Sequence, residues 1–258
     1  MEVYDALGRA RGRGQRAVLV TVLDVSGNAP SHPGAKLVVG EVGVLAGTLG
    51  CSEFDTAGAE VAREALAQGG PIRRRLQFPT RDEERAVELF AEVHEPEPAV
   101  LVLGSTPVGR AVAEIARLTD RRVTLVAPGG AVPAAQGVEV KADDPARYLL
   151  AAPPGPSDSV LISDHDASWV GEVLRVALAS EAPFVGMLGS RRHAPEAVRH
   201  LRDSSVPEAH IARLRAPVGL DIGSRNPGEI AVSVVAEIIA TERGRDGGPM
   251  TVDWSAIT

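Results

Sequence analysis

The chain has 258 residues, 44% of them hydrophobic and 24% charged, which supports one large or two small packed domains and excludes global disorder. Only 3% are aromatic, so the core must come from Val, Ile, Leu and Ala, a composition that suits buried parallel strands. The net charge of −7 argues against non-specific nucleic-acid binding, and a single cysteine rules out an intrachain disulfide and points to a reducing compartment.

The start, Met1-Glu2-Val3-Tyr4-Asp5, lacks the basic and apolar regions of a signal peptide. No apolar run approaches the roughly 18 residues that a membrane span needs. The expectation is a soluble cytoplasmic protein with neither membrane nor nucleic acid as partner.

In chain order, residues 1–13 predict a short helix and 17–25 a β-branched strand. Gly27-Asn28-Ala29-Pro30-Ser31-His32-Pro33-Gly34 reads as a rigid loop, followed by short strands at 37–39 and 44–46. A helix follows Cys51, with Ser52 as its N-cap, Asp55 at the capping-box position, and an apolar stripe of Ala57, Val61, Ala65 and Leu66. Gly69-Gly70-Pro71 stops it. Residues 72–78 alternate apolar and Arg as a half-exposed strand, and 82–94 read as another helix. Glu95-Pro96-Glu97-Pro98 is a polar linker, so the expected domains are 1–95 and 96–258.

The second half alternates strands at 99–103, 122–126, 159–163 and 183–188 with helices at 108–119, 144–150, 167–179, 195–203 and 227–243. That alternation predicts an α/β architecture in which a mixed α+β domain precedes a Rossmann-like, doubly wound parallel sheet. From Gly244 the tail is Gly-rich and expected to be loose.

Four segments can carry chemistry. Gly104-Ser105-Thr106-Pro107-Val108-Gly109 sits where dinucleotide folds place G-x-G-x-x-G, but Thr106 replaces the middle glycine and Ala127-Pro128 supplies no ribose-binding carboxylate. A purely structural turn is the favoured reading, and NAD(P) is not expected. Gly189-Ser190-Arg191 and Gly223-Ser224-Arg225 each place a turn, a hydroxyl and a guanidinium beside a helix start. Free N–H groups, the positive dipole end and the Arg fork make such turns anion sites, against the alternative of capped helices with solvated Arg. Arg191 and Arg225 are expected to converge on one anion. Cys51 lies where the positive end of a helix favours an anion, so it is either a nucleophile and soft metal ligand or a small buried hydrophobe. Glu53 beside it is a first-turn residue or a polar ligand group. Ser163-Asp164-His165-Asp166 offers acid–base groups, or else a helix start capped by Asp166.

Together these segments resemble the XdhC/CoxI family. The resemblance rests on the loop from Gly27 through Ala35 and Lys36, on Gly47-Thr48-Leu49-Gly50-Cys51-Ser52-Glu53, and on Phe184-Val185-Gly186-Met187-Leu188-Gly189-Ser190-Arg191-Arg192. It is carried furthest by Pro217-Val218-Gly219-Leu220-Asp221-Ile222-Gly223-Ser224-Arg225-Asn226-Pro227-Gly228-Glu229. Ser31, Leu49 and Thr106 stand where the family usually has Arg, Gly and Gly.

The resemblance implies a chaperone that binds the molybdenum cofactor, a phosphate-bearing pterin dithiolene, and delivers it to an apo molybdenum hydroxylase of the xanthine dehydrogenase or CO dehydrogenase type. A homodimer and a cofactor-sulfurating cysteine desulfurase are the further partners implied. The implied cofactor-binding residues are Lys36, Gly50, Cys51, Glu53, Gly189, Ser190, Arg191, Arg192, Gly223, Ser224 and Arg225, with Cys51 facing the metal. The alternatives are an NAD(P)-linked oxidoreductase and a family member that has lost the ligand and acts as an interaction protein.

Overall fold

The structure, a computed structural model, describes residues 2–79, 84–129, 135–190 and 194–251. The chain divides into two compact units, Met1–Glu97 and Pro98–Thr258.

The first unit contains α1 (Glu2–Gly12), β1 (Ala17–Ser26), β2 (Lys36–Gly40), β3 (Val44–Thr48), α2 (Ser52–Gln68), β4 (Ile72–Pro79) and β5 (Glu84–His94). The strands form one antiparallel sheet in the order β3-β2-β1-β5-β4. Val18, Val20 and Val22 of β1, with Leu37 and Val39 of β2, pack into a core shared with Phe54, Val61 and Ala65 of α2. The intervening Ala17, Leu19 and Val38 pack with Leu7 and Ala10 of α1. A sheet covered on both faces explains why β1 is almost continuously apolar. Gly69 ends α2 in the left-handed conformation, at φ 70°.

Residues 84–94 form a central strand, β5, and not the helix that their Glu, Ala and Leu content predicts. Val87, Leu89, Ala91 and Val93 recur at every second position and join the α2-side core, while β1 and β4 bond to β5 on its two edges. The period of two decides here, and the pairing context overrides helix propensity.

The second unit contains β6 (Ala99–Leu103), α3 (Pro107–Arg117), β7 (Arg122–Val126), β8 (Val138–Lys141), α4 (Pro145–Ala151), β9 (Asp158–Ile162), α5 (Val170–Ala179), β10 (Phe184–Met187), α6 (Ala194–Asp203), α7 (Glu208–Ile211), β11 (Leu214–Arg215) and α8 (Pro227–Glu242). All described pairings in this sheet are parallel, and the order β11-β10-β9-β6-β7-β8 is the doubly wound arrangement. The chain runs outward from β6 to β8, then restarts at β9 and runs outward on the other side. The direction therefore reverses between β6 and β9. Helices α3 and α8 cover one face, and α4, α5 and α6 cover the other.

Three helices open on a side-chain cap followed by Pro. Thr106, Asp144 and Asn226 accept from the N–H groups of Gly109, Arg147 and Glu229, and Pro107, Pro145 and Pro227 occupy the first turn. No helix among the described residues is long and apolar enough to cross a membrane.

Leu89 is fully buried in β5. Leu89→Ala should therefore cost about 2–5 kcal/mol, read as a lower urea midpoint by circular dichroism. An unchanged midpoint would contradict the central placement of this strand.

Candidate functional site

The carboxyl ends of β6, β9 and β10 open into a cleft of about 850 Å³ at the point where strand order reverses, the place where open α/β sheets bind ligands. Its geometry starts from two glycines. Gly104 follows β6 at φ 93°, and a Cβ there would lie 3.0 Å from the Cβ of Asp164 and from Ser163 Oγ. A Cβ on Gly109 would lie 2.5 Å from Ser163 Oγ. Both positions must be bare for the end of β9 to rest against the first turn of α3.

Thr106 then locks this contact. Its hydroxyl accepts from Gly109 N at 3.1 Å and donates to the carbonyl oxygen of Ser163 at 3.2 Å. The Gly104–Gly109 turn is thus a packing device, with one helix N-terminal donor already used by Thr106 and another removed by Pro107.

Ser163 is 4% exposed, and its Oγ has no hydrogen-bond partner among the described residues. Asp164 is half-buried, and one of its carboxylate oxygens accepts from Asp166 N at 3.3 Å. His165 Nε2 lies 3.6 Å from the exposed carboxylate of Asp166. Asp166 does not cap a helix from 167. Helix α5 starts at Val170, with Trp169 at the N-cap and no side-chain cap bond.

Gly189 and Ser190, after β10, and Gly223 and Ser224, before α8, all line this one cleft. Arg191 and Arg192 lie outside the described residues. Arg225 does not line the cleft; it stands with Gly223, Ser224 and Glu229 around a separate depression. Its own N–H donates to Glu229 Oε2 at 2.6 Å, Glu229 N donates to Asn226 Oδ1 at 3.0 Å, and Ser224 Oγ donates to Glu229 O at 3.2 Å. The Glu229 carboxylate therefore already occupies a donor that the sequence offered to an anion. The described wall of the cleft carries three carboxylates, Asp164, Asp166 and Asp221, and no Lys or Arg.

The loop from Pro217 to Ser224 forms the far wall and is held from α8. Glu237 accepts from Gly219 N at 2.6 Å and from Arg215 Nη1 at 3.0 Å, while the Arg215 guanidinium lies 5.6 Å from the centre of the Phe184 ring. Ser233 Oγ donates to Leu220 O at 2.6 Å. Sequence reasoning missed this support, although an acidic residue and a serine inside an otherwise apolar helix signal buried polar partners.

The remaining predicted residues lie in the first unit. Gly50, at φ 122°, has no room for a side chain, since a Cβ would come within 1.8 Å of Pro30 O. The 27–34 loop thus lies directly on the turn before Cys51. Cys51, and not Ser52, is the N-cap of α2, and it makes no side-chain cap bond. Asp55 turns back instead of closing a capping box: it accepts from Thr48 Oγ1 at 2.9 Å and from Leu49 N at 2.5 Å. The Cys51 thiol is half-buried against the α2-side core. Leu49 is fully buried, and its Cδ1 fills the space beside Gly58 where a Cβ would come within 2.4 Å. Lys36 Nζ donates to Gly34 O at 3.2 Å, and Glu53 accepts from Arg85 Nη2 at 3.4 Å. No group of three or more His, Cys, Asp and Glu able to hold a metal ion occurs among the described residues.

Two family models match the chain: the XdhC Rossmann domain over residues 100–238, and the XdhC and CoxI family over residues 10–78. The chain belongs to the XdhC/CoxI family. Within this family frame, the cleft falls in the Rossmann match and the Cys51 turn in the other. The chain is 27% identical over 267 residues to the uncharacterized protein YqeB of Escherichia coli (strain K12), covering 97% of this chain and 48% of that protein. It is 27% identical over 165 residues to a protein of Bacillus subtilis (strain 168) named as a probable xanthine dehydrogenase subunit, covering 62% of this chain and 48% of that protein. The chain thus spans about half the length of these relatives. A crystal structure from Bacillus halodurans, described as a xanthine dehydrogenase, shares the fold with a TM-score of 0.50 at 19% identity, over 95% of this chain and 97% of that one.

Proposed function

We propose that this XdhC/CoxI family member serves the maturation of a xanthine dehydrogenase-type molybdenum hydroxylase by binding the molybdenum cofactor, shielding it and delivering it to the apoenzyme. The observation that carries this reading is the meeting of both Gly-Ser turns, Gly189-Ser190 and Gly223-Ser224, on one cleft at the switch point. Its volume of about 850 Å³ is within the usual range for a site that encloses a small organic molecule. The names of the Bacillus relatives connect the family with xanthine dehydrogenase.

In this reading the cofactor is cargo, and the chain's own residues bind and shelter it. The hydroxyls of Ser190 and Ser224 and the backbone of Gly189 and Gly223 meet it in the C-terminal unit, and Arg191 and Arg192, which follow Ser190 in the sequence, are assigned to it as well. In the first unit, considered by itself, Cys51 offers a soft thiol of the kind that suits a molybdenum centre, and Lys36, Gly50 and Glu53 are the other residues that this reading assigns to the cofactor. A homodimer, a cytoplasmic setting and a sulfurating cysteine desulfurase complete the proposal.

Protein purified from a cofactor-producing host should carry near-stoichiometric pterin, read by fluorescence after oxidation; pterin-free protein from such a host would contradict the reading. Cys51→Ser should fold normally yet activate an apo client roughly 10- to 100-fold less well, the scale seen when groups around a bound metal are replaced. Equal activation by parent and variant would remove the thiol from the account.

The same reading excludes a dinucleotide as the natural ligand of the cleft. Thr106 uses one helix N-terminal donor, Pro107 lacks another, and Ala127-Pro128 brings no carboxylate to the end of β7. Calorimetric titration with NAD(H) and NADP(H) should show only millimolar association, around −4 kcal/mol. A micromolar constant for either would favour the oxidoreductase.

A further inference from the structure

We infer that Glu237 is a positioning residue of the switch-point cleft: through the backbone amide of Gly219 it sets the far wall against which the cofactor binds. This rests on the proposed cofactor binding and adds a residue outside the cleft on which the affinity depends. The far wall, residues 217–224, has no helix or strand of its own. It links β11 to α8 and carries the Gly223-Ser224 turn to the cleft. Such a segment keeps a binding shape only where rigid elements fix its backbone.

Glu237 does this from α8. Gly219 N donates to its Oε2 at 2.6 Å and Arg215 Nη1 donates to its Oε1 at 3.0 Å, so each oxygen has its own partner. Ser233 lies one turn earlier on the same face of α8 and meets the next residue of the wall. Its Oγ donates to Leu220 O at 2.6 Å, and its carbonyl oxygen accepts from Leu220 N at 3.2 Å. Gly219 must be bare for this, since a Cβ there would come within 2.4 Å of Ser233 Oγ. Val218 N donates to Met187 O at 3.1 Å, so the start of the wall is held between the end of β10 and α8.

The residue type is informative. From Ile230 to Ala240, Glu237 is the one charged residue of α8, and its side chain is only 14% exposed. A carboxylate there loses hydration that a well-packed leucine would not need, so folding alone gives no reason for it. What a leucine lacks is the acceptor for Gly219 N. The charge makes that bond one of the stronger kind, and Arg215, braced on the Phe184 ring 5.6 Å from its centre, orients the carboxylate. The Arg215 side chain is itself 42% exposed, so removing Glu237 leaves it solvated and strands no buried charge. Folding stability and wall position are therefore separable by substitution at 237.

The test is equilibrium dialysis of the full chain against molybdopterin, read by pterin fluorescence after oxidation, with a urea unfolding curve for each variant. Glu237→Gln loses the charge but keeps an oxygen within reach of Gly219 N, and should bind within about threefold of the parent. Glu237→Leu removes the acceptor, and Glu237→Asp keeps the charge but withdraws it by one methylene. Both should weaken binding about 10- to 100-fold, the most that one hydrogen bond to a charged group transmits, with the urea midpoint of Glu237→Leu close to the parent's. Parent-like binding by Glu237→Leu or Glu237→Asp would overturn the assignment. So would a Glu237→Gln protein as weak as those two, or losses of affinity that only follow each variant's loss of stability. If Glu237→Leu does not fold, the comparison of Glu237→Gln with Glu237→Asp decides. A parent that binds molybdopterin no better than its three variants defeats only the role of Glu237. A parent that binds no molybdopterin defeats this inference and the cofactor reading together.

Discussion

At the switch point of the parallel sheet, the end of β9 rests on the bare backbone of the turn that opens α3. The contact exists because Gly104 and Gly109 carry no side chains, and Ser163 fills the space that a Cβ on Gly109 would need. Thr106 ties the two segments together from the α3 side. One side of the cleft is placed by this contact: Asp164 follows Ser163, β10 follows β9 in the sheet, and the Gly189-Ser190 turn follows β10. The opposite wall depends on a second support, in which Glu237 and Ser233 of α8 hold the Gly219–Leu220 backbone. A parallel sheet supplies the crevice, and these two supports give it a fixed shape.

Much of the C-terminal unit was legible because its signals are redundant. Apolar strand runs, cap-Pro helix starts and connecting Gly turns all agree, as at Thr106-Pro107 and Asn226-Pro227. Short elements gave no such agreement. β11 has two residues and β8 has four, too few for periodicity to register, and both form because a neighbouring strand offers its edge. In the first unit, 84–94 carries helix-forming residues in a period-two pattern. The strand wins because β1 and β4 bond to both of its edges while Val87, Leu89 and Ala91 meet α2.

The candidate site was legible at the level of turns but not of chemistry. Spacing identified Gly189-Ser190 and Gly223-Ser224, and the fold brings them to one cleft. Spacing did not show that Glu229 would take up the Arg225 N–H or that Arg225 would stand outside the cleft, since both depend on how the α8 cap closes. Nor did it show a wall of carboxylates, because Asp164 and Asp221 are far apart in the chain and meet through strand order. At Cys51 the sequence placed the helix start but named the wrong cap. Asp55 accepts from Thr48 and Leu49, which ties the strand end to α2 and leaves the thiol at the helix start.

In the function proposed above, the switch-point cleft of the C-terminal unit holds the pterin cargo. Hydrogen–deuterium exchange of the protein with and without bound molybdopterin measures this directly, because a ligand slows exchange where it orders or covers backbone amides. The account predicts slowed exchange in residues 104–109, 163–166, 188–190 and 217–224, the segments that form the cleft. Slowed exchange confined to other segments, with these four unchanged, would contradict it.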